Sequence, residues 1–509
     1  MIVGEGPPTA GSAATLDDLF RRAGVRNPDA VALVDPPNRA DFTDGQPRTL
    51  TFAQADRAIS MLAAKLRALG LQTDTLVAVQ LPNTVESLVA LLGILRAGMI
   101  PVPIPQLWRQ QEIVAALGGV GAKAILTSAR IGSVSHVHIA MEAAVDLFSI
   151  RQVCAFGQDL PDGIVPLDDI FNTRDSDVAS ANPRLGSAPA HVAVVTFDLD
   201  ATGLVAMARS HIAVVAGGLE AFLETDGNPD MPILSTIPVG SFAGIALTAL
   251  PWLLSGGALH LHHGFDRSAF AAQVRDVTGG LVVLPAPAIP AIADAGLLHD
   301  EQTIFALWRA PERLAAAKAW RARSALVDVA SFGEVGLIAA RRGMNGQSVP
   351  VPNGIVDPLR RAPGAPTVIE TTRTDNGTLA LRGRMVPKQA FPPGAERGQL
   401  PHLAPDQSGY VDSGFACRPD RDGKALIITA PPAGTAAVGG YRFLQKDIDE
   451  LVWRAEPGAT TVALPDANLG QRLAGTSADG ATLYAKLQAC GTNPLVTGAF
   501  QPRGGAEAA

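Results

Sequence analysis

The sequence predicts an α/β protein: a large N-terminal region of parallel and mixed sheets with crossover helices, a β-rich subdomain, and a small C-terminal α+β domain. Three observations carry this reading. Short apolar runs alternate with amphipathic segments of about 10 to 15 residues, the pattern of strands joined by helical crossovers. Hydrophobic residues make up 47% of the 509 residues and charged ones 17%, enough apolar surface for more than one core. Beyond about residue 345, Pro and Gly cluster and hairpin-like turns such as DNG (375–377) and RDG (421–423) replace long helices.

Taken in order, residues 1–13 read as a flexible tail. TLDDLFRRAG puts Leu16, Leu19 and Phe20 on one helical face, with Asp17 and Asp18 in the first turn, where the helix dipole favours negative charge. VALVD (31–35) is a short strand. TLTFAQADRAISMLAAKLRALGL (49–71) gives a strand edge and then a helix capped by Thr51 and stopped at Gly70. LVAVQLP (76–82) is a buried strand. NTVESLVALLGILRAGMIPVPIP (83–105) is a helix capped by Asn83 and stopped at Gly98, then a strand. AKAILTS (122–128) and RQVCAFG (151–157) are two more strands. HVAVVTF (191–197) is a buried strand leading into a turn, and HIAVVAGGLEAFLE (211–224) is the helix after it. Residues 231–262 read strand, loop, helix, strand. FDRSAFAAQVRDV (265–277) is a helix, GGLVVLPAP (279–287) a strand, and ALVDVASFGEVG (325–336) a strand and loop. The expected divisions are residues 14–345, 346–429 and 430–509.

The charge balance narrows the function. Lys and Arg total 41 against 48 for Asp and Glu, a net charge of -7. That argues against a nucleic-acid face and against a polybasic membrane anchor. Cys154, Cys417 and Cys490 are far apart, which supports neither a disulfide framework nor a zinc site and points to a reducing cytoplasm. No signal peptide or membrane span is expected. GxxxxGK[ST], HExxH and GxSxG are absent. HLHH (260–263) would put His260 and His262 on one face of a strand, and His136 and His138 have the same spacing. Neither pair has an acidic or Cys partner nearby, so both read as structural.

LTFAQADRAISMLAAKLRALGL and the following VAVQLPNTVESLVALLGILRAGMIPVPIP resemble, in order and spacing, the N-terminal part of the adenylate-forming superfamily (acyl-CoA synthetases, adenylation domains of nonribosomal peptide synthetases, and luciferases). YRFLQKDIDELVWR and ATTVALPDANLGQRLAG resemble its small C-terminal domain, so the likeness spans about residues 14–475. The resemblance implies ATP and magnesium as cofactors and a carboxylic (acyl or aryl) acid activated as its adenylate. It also implies transfer to the thiol of coenzyme A or of an acyl-carrier protein, and a small domain that rotates between the two half-reactions.

The matching motifs are altered where the chemistry should lie. TFDLDATGLVAMARSH (196–211) stands at the family's phosphate loop. Thr202 and Gly203 match, but Asp198, Leu199 and Asp200 occupy the early Gly and hydroxyl positions and Ala206 the Lys position. Two carboxylates repel a triphosphate unless a metal intervenes. Asp198 and Asp200 read as exposed caps of a strand-to-helix turn, with a bridged metal the alternative. Arg209 is the candidate replacement for the missing positive charge. IPVGSFAG sets Ser241, Phe242 and Gly244 beside the expected acyl pocket. SFGEVG keeps Glu334 as the matched magnesium position, with Gly333 where a Thr is expected. Ser413 and Gly414 fit the ribose-gripping triplet, but its Asp is Phe415, which accepts no hydrogen bond. Ala430 stands for an Arg. The chain's end shows Pro502 and Arg503, but no Lys follows Lys486. One missing donor beside a developing charge costs roughly 10²–10³ in rate. The leading expectation is therefore a binding or partner subunit that has lost normal adenylation. The alternatives are an active acid–thiol ligase using Arg209, Glu334 and a Lys such as Lys446, or a heterodimer partner of an active paralogue.

Overall fold

A computed structural model describes residues 14–172, 188–356, 368–398 and 400–501. The expected tail 1–13 and the Pro502–Arg503 pair lie outside them. The α/β reading holds. Ile100–Pro103, Leu76–Gln80, Ala124–Ser128, Gln152–Phe156 and Val165–Pro166 form a five-stranded sheet, every pair parallel. An eight-stranded sheet is parallel at its centre, from Ala325–Phe332 through Thr303–Trp308, Leu281–Pro285, Ile233–Ser235 and Leu259–Leu261 to Val31–Val34. Its two edges, Gly336–Arg341 and Thr49–Thr51, are antiparallel. The helix Val85–Arg96 is buried on every face but that of Leu95, which suits a helix apolar all round at the centre of a core.

A six-stranded antiparallel sheet follows, from Val351–Pro352 to Val411–Pro419 and Ala425–Ala430. Beyond it Thr435–Val438, Tyr441–Leu444, Thr460–Asp466 and Gly470–Thr476 make a four-stranded sheet under the helices Gln445–Ala455 and Gly480–Ala489. This last unit has its own apolar core, built on Ile448, Val452, Leu483, Leu487 and Phe500. No helix among the described residues is long and apolar enough to cross a membrane.

Local chemistry explains the elements. Thr51 caps its helix as expected, in a reciprocal capping box with Gln54. Asn83 does not cap the next one: that helix starts after Thr84, and its first amide, of Val85, donates to Asp35 at 2.8 Å. Asn83 is drawn away because its Nδ2 donates to the carbonyls of Ser235 and His262, tying two segments 150 residues apart. Asp35, Arg39 and Glu86 form a buried ion cluster with Arg48 and Asp168 at its rim. Burial pushes the Asp35 carboxyl up to about 6, the nearby Glu86 adding and Arg39 opposing.

Two further expectations are corrected. Residues 192–210 are not a strand and a turn leading to a helix but an antiparallel hairpin, Val192–Asp200 with Gly203–Ser210; the helix His211–Phe222 follows where it was expected. Asp200 sets the turn: its Oδ1 accepts from the Thr202 amide, the Thr202 hydroxyl and the Gly203 amide. Residues 136–146 form a helix, not a strand, so His136 and His138 do not share a face. The helix Gln110–Val120, with Gly118 and Gly119 inside it, was not foreseen. His260 lies within the strand Leu259–Leu261 and His262 directly follows it, but His262 Nδ1 meets Gln273 Oε1 at 2.8 Å. Among the described residues no group of three or more His, Cys, Asp or Glu is placed to hold a metal.

His263 generates a pH prediction. Its Nδ1 accepts the Asn83 amide at 3.3 Å and its ring lies 4.5 Å from that of Phe42, so the fold requires the neutral imidazole. Burial pushes His263 down to about 4, the neighbouring His262 and His136 adding to the shift. A histidine depressed in the fold contributes stability above its unfolded value of about 6.5 and loses it as pH falls towards 4, because the unfolded chain then binds the extra proton. The loss should reach about 3 kcal/mol by pH 4. Urea unfolding at pH 7.5, 6 and 5 should show falling stability, with a shallower fall in His263→Asn.

Candidate functional site

A cleft forms where five segments meet: the tip half of the hairpin at Thr196–Leu204, the loop Pro238–Ser241, Arg309 and Glu312 after the strand Thr303–Trp308, the turn Ser331–Glu334, and residues 437–442 of the C-terminal sheet. Its walls carry Trp108, Phe197, Val239 and Phe415, with the Trp108 and Phe197 rings 5.9 Å apart. The cavity volume is about 140 Å³. That is below the roughly 300–1,000 Å³ of sites for drug-sized ligands. Ala437, Gly440, Tyr441 and Arg442 of the C-terminal sheet close one side of it.

Asp198 and Arg442 dominate the electrostatics. Asp198 is not an exposed cap: it is 7% exposed and its Oδ1 makes an ion pair with Arg442 Nη2. Its Oδ2 accepts the Glu334 amide at 2.8 Å. Asp200, two residues on, is spent at the hairpin turn, so the two carboxylates do not converge on a common ion. Arg442 also lies 5.7 Å from the centre of the Phe415 ring. Burial pushes its guanidinium down to about 10, still cationic at neutral pH. Gly333 makes the pair possible. It has φ +59°, and a Cβ there would fall 1.8 Å from Arg442 Nη2 and 2.3 Å from Asp198 Oδ2.

Glu334 sits beneath this pair. It is half-buried on the cleft wall, its Oε2 accepts the Phe242 amide at 2.9 Å, and loss of solvent pushes its carboxyl up against the opposing pull of Arg209. Arg209 is buried outright. It donates to the carbonyls of Glu334, Met385 and Val335 and to the Thr196 hydroxyl, and it lies 3.9 Å over the Phe242 ring. Desolvation pushes Arg209 down to about 10, Glu334 partly offsetting it. Ser241 caps the following helix, accepting the Gly244 amide at 3.1 Å, and Gly244 packs on the Pro238 carbonyl.

Glu334, Arg209, Ser241, Phe242 and Gly244 are thus one neighbourhood. The others lie apart. Thr202 is exposed at the hairpin tip, and Gly203 follows it beside Pro401. Ser413 donates its hydroxyl to the Leu379 carbonyl, a bond within the antiparallel sheet, and Gly414 packs on Pro432. Ala206 belongs to a buried apolar cluster. Lys446 is exposed on the helix Gln445–Ala455 and does not line the cleft. Sequence reasoning missed Arg309, Glu312, Tyr441 and Arg442. The one signal for Arg442 was Gly333: a glycine where a Thr was expected announces a close approach.

Gly333→Ala should eject Arg442 and loosen the contact between the C-terminal sheet and the cleft. Hydrogen exchange should show amides of residues 438–444 exchanging about tenfold faster or more, with residues 267–276, which do not line the cleft, unchanged.

Comparison with known proteins agrees with the fold. The chain is 25% identical over 486 residues to 2-hydroxy-7-methoxy-5-methyl-1-naphthoate–CoA ligase of Streptomyces carzinostaticus, covering 90% of this chain and 83% of that one. Its fold is similar to the apo structure of MbtA from Mycobacterium smegmatis, with TM-score 0.61 and 22% identity over 95% of this chain and 90% of that one. It is also similar to NpsA-ThdA, an artificially fused adenylation–PCP di-domain from Klebsiella oxytoca, with TM-score 0.65 and 16% identity over 94% and 92%. Residues 20–303, more than half the chain, match the AMP-binding enzyme family, and the chain belongs to that family.

Proposed function

We propose that this chain binds a carboxylic acid in the family's cleft but does not hold a magnesium nucleotide in the family's manner, and so acts as an acyl- or aryl-binding or partner subunit. The observation that carries the reading is the buried Asp198–Arg442 pair. A phosphate brought to the hairpin would meet the Asp198 carboxylate and would have to break an ion pair already made. The hairpin backbone is committed to its own ladder, Asp198 opposite Val205 and Leu199 opposite Leu204, rather than turned towards an anion. Phe415 offers a ribose no acceptor. Glu334, the matched magnesium position, lines the cleft, but its Oε2 already accepts the Phe242 amide. The donor set therefore does not suit ATP with magnesium, although the family in general uses both.

The remaining surface suits an acid with an apolar body. Trp108, Phe197, Val239, Pro238 and Phe415 supply it, and the name of the similar CoA ligase specifies a bicyclic aromatic acid. Coenzyme A, an acyl-carrier protein or an active paralogue would be the partner of the loaded chain. A cytoplasmic setting goes with three free cysteines. A second reading, an active acid–thiol ligase with a non-standard nucleotide site, has one observation in its favour: Arg309 and Arg442 put two guanidiniums in the cleft.

Calorimetric titration and thermal melting separate the two readings. ATP with magnesium, at millimolar concentration, should give neither heat nor a melting shift. A native-state ligand at 100 times its Kd would stabilise by about 2.7 kcal/mol. Pyrophosphate release with a panel of carboxylic acids should stay at background. Sustained ATP-dependent release would overturn the proposal.

A further inference from the structure

We propose that Arg309 reads the carboxylate of the acid in the cleft, so that free carboxylates, and not the corresponding amides, are the ligands of this chain. This inference deepens the acid-binding reading and rests on it.

The placement of Arg309 comes from the fold. It directly follows the strand Thr303–Trp308, whose register is fixed on both sides by parallel neighbours. Its stem lies along the backbone of Gly440: a Cβ there would fall 2.3 Å from Arg309 Cδ and 2.8 Å from its Cβ. The half-buried side chain is thus held between a strand end and the C-terminal turn, and it lines the cleft.

The guanidinium is underused. Arg442 is paired with Asp198, and Arg209 is consumed by carbonyls and a hydroxyl. Among the described residues Arg309 makes no salt bridge, and its one hydrogen bond is a long one, Nη2 to Ser241 Oγ at 3.5 Å. Three acids line the cleft near it, and none makes a salt bridge to it. Glu334, close enough to feel its charge, takes the Phe242 amide, and Asp198 takes Arg442; Glu312 keeps a buried Oε2 without a hydrogen-bond partner, and burial pushes its carboxyl up, towards the neutral form. The half-buried Tyr441 phenol also lies within reach of the Arg309 charge. A guanidinium carries five donors in a planar fork. Left with one weak acceptor in a partly dry cleft, it matches the two oxygens of a carboxylate. The Ser241 hydroxyl stands beside it as a second donor. The apolar walls then receive the body of the acid, with Pro238 and Val239 on the loop that carries Ser241.

The test compares acids with their own primary amides, which keep the apolar body and lose the charge. 1-Naphthoate, benzoate and decanoate, each paired with its amide, are titrated into the full-length wild type and into Arg309→Met, which keeps the stem. In the wild type at least one acid should bind about tenfold or more tightly than its amide, the 1.4 kcal/mol step expected at minimum of a charge-assisted pair. In Arg309→Met that preference should vanish while the amide keeps its affinity to within about twofold. Arg309→Gln is the substitute if the Met variant fails to melt cooperatively. Equal binding of acid and amide by the wild type, or a preference that survives in the variant, overturns the role of Arg309 and leaves the acid-binding reading standing. If no acid or amide binds the wild type, the acid-binding reading falls, and this inference falls with it.

Discussion

A single buried ion pair, Asp198 with Arg442, sets what the cleft can be. Two groups of opposite charge leave water together only when each is well partnered, and removing one of them strands the other at a cost of about 3 to 5 kcal/mol. Here the carboxylate also receives the Glu334 amide and the guanidinium faces the Phe415 ring. The pair joins a hairpin of the large region to the sheet of the C-terminal unit, so the electrostatics of the cleft and the seat of that unit are one property. Gly440, which packs on Arg309, and Tyr441 are the residues directly before Arg442 and line the same cleft.

The fold was legible where one physical signal acted alone. Period and caps gave the helix after Thr51, and uninterrupted apolar runs gave the parallel strands at Leu76–Gln80, Ala124–Ser128 and Gln152–Phe156. It was less legible where signals competed. Asn83 is a good cap by type, but two distant carbonyls claimed its amide. The second strand of the hairpin, Gly203–Ser210, reads GLVAMARS; with two alanines and few β-branched residues it carries little strand preference. What makes it a strand is the turn at Asp200 and the long partner in front of it.

The site was legible as a list of substitutions but not as an arrangement. Phe415, Ala206 and the acidic hairpin could be read position by position. That Asp198 had found a cation 244 residues away could not, since no local pattern encodes a contact of that range. Arg209 illustrates the limit from the other side. Its charge suggested a replacement for a lost lysine, and the structure places it among main-chain carbonyls, where it ties the Glu334 turn and Met385 to the hairpin.

Gly333 leaves a mark on what this chain can become. Any side chain restored there collides with Arg442, any change at Arg442 strands Asp198, and any change at Asp198 leaves the Glu334 amide without its acceptor. The three positions can therefore drift only together, so each one entrenches the other two. A single substitution at any one of them disturbs the contacts of the other two.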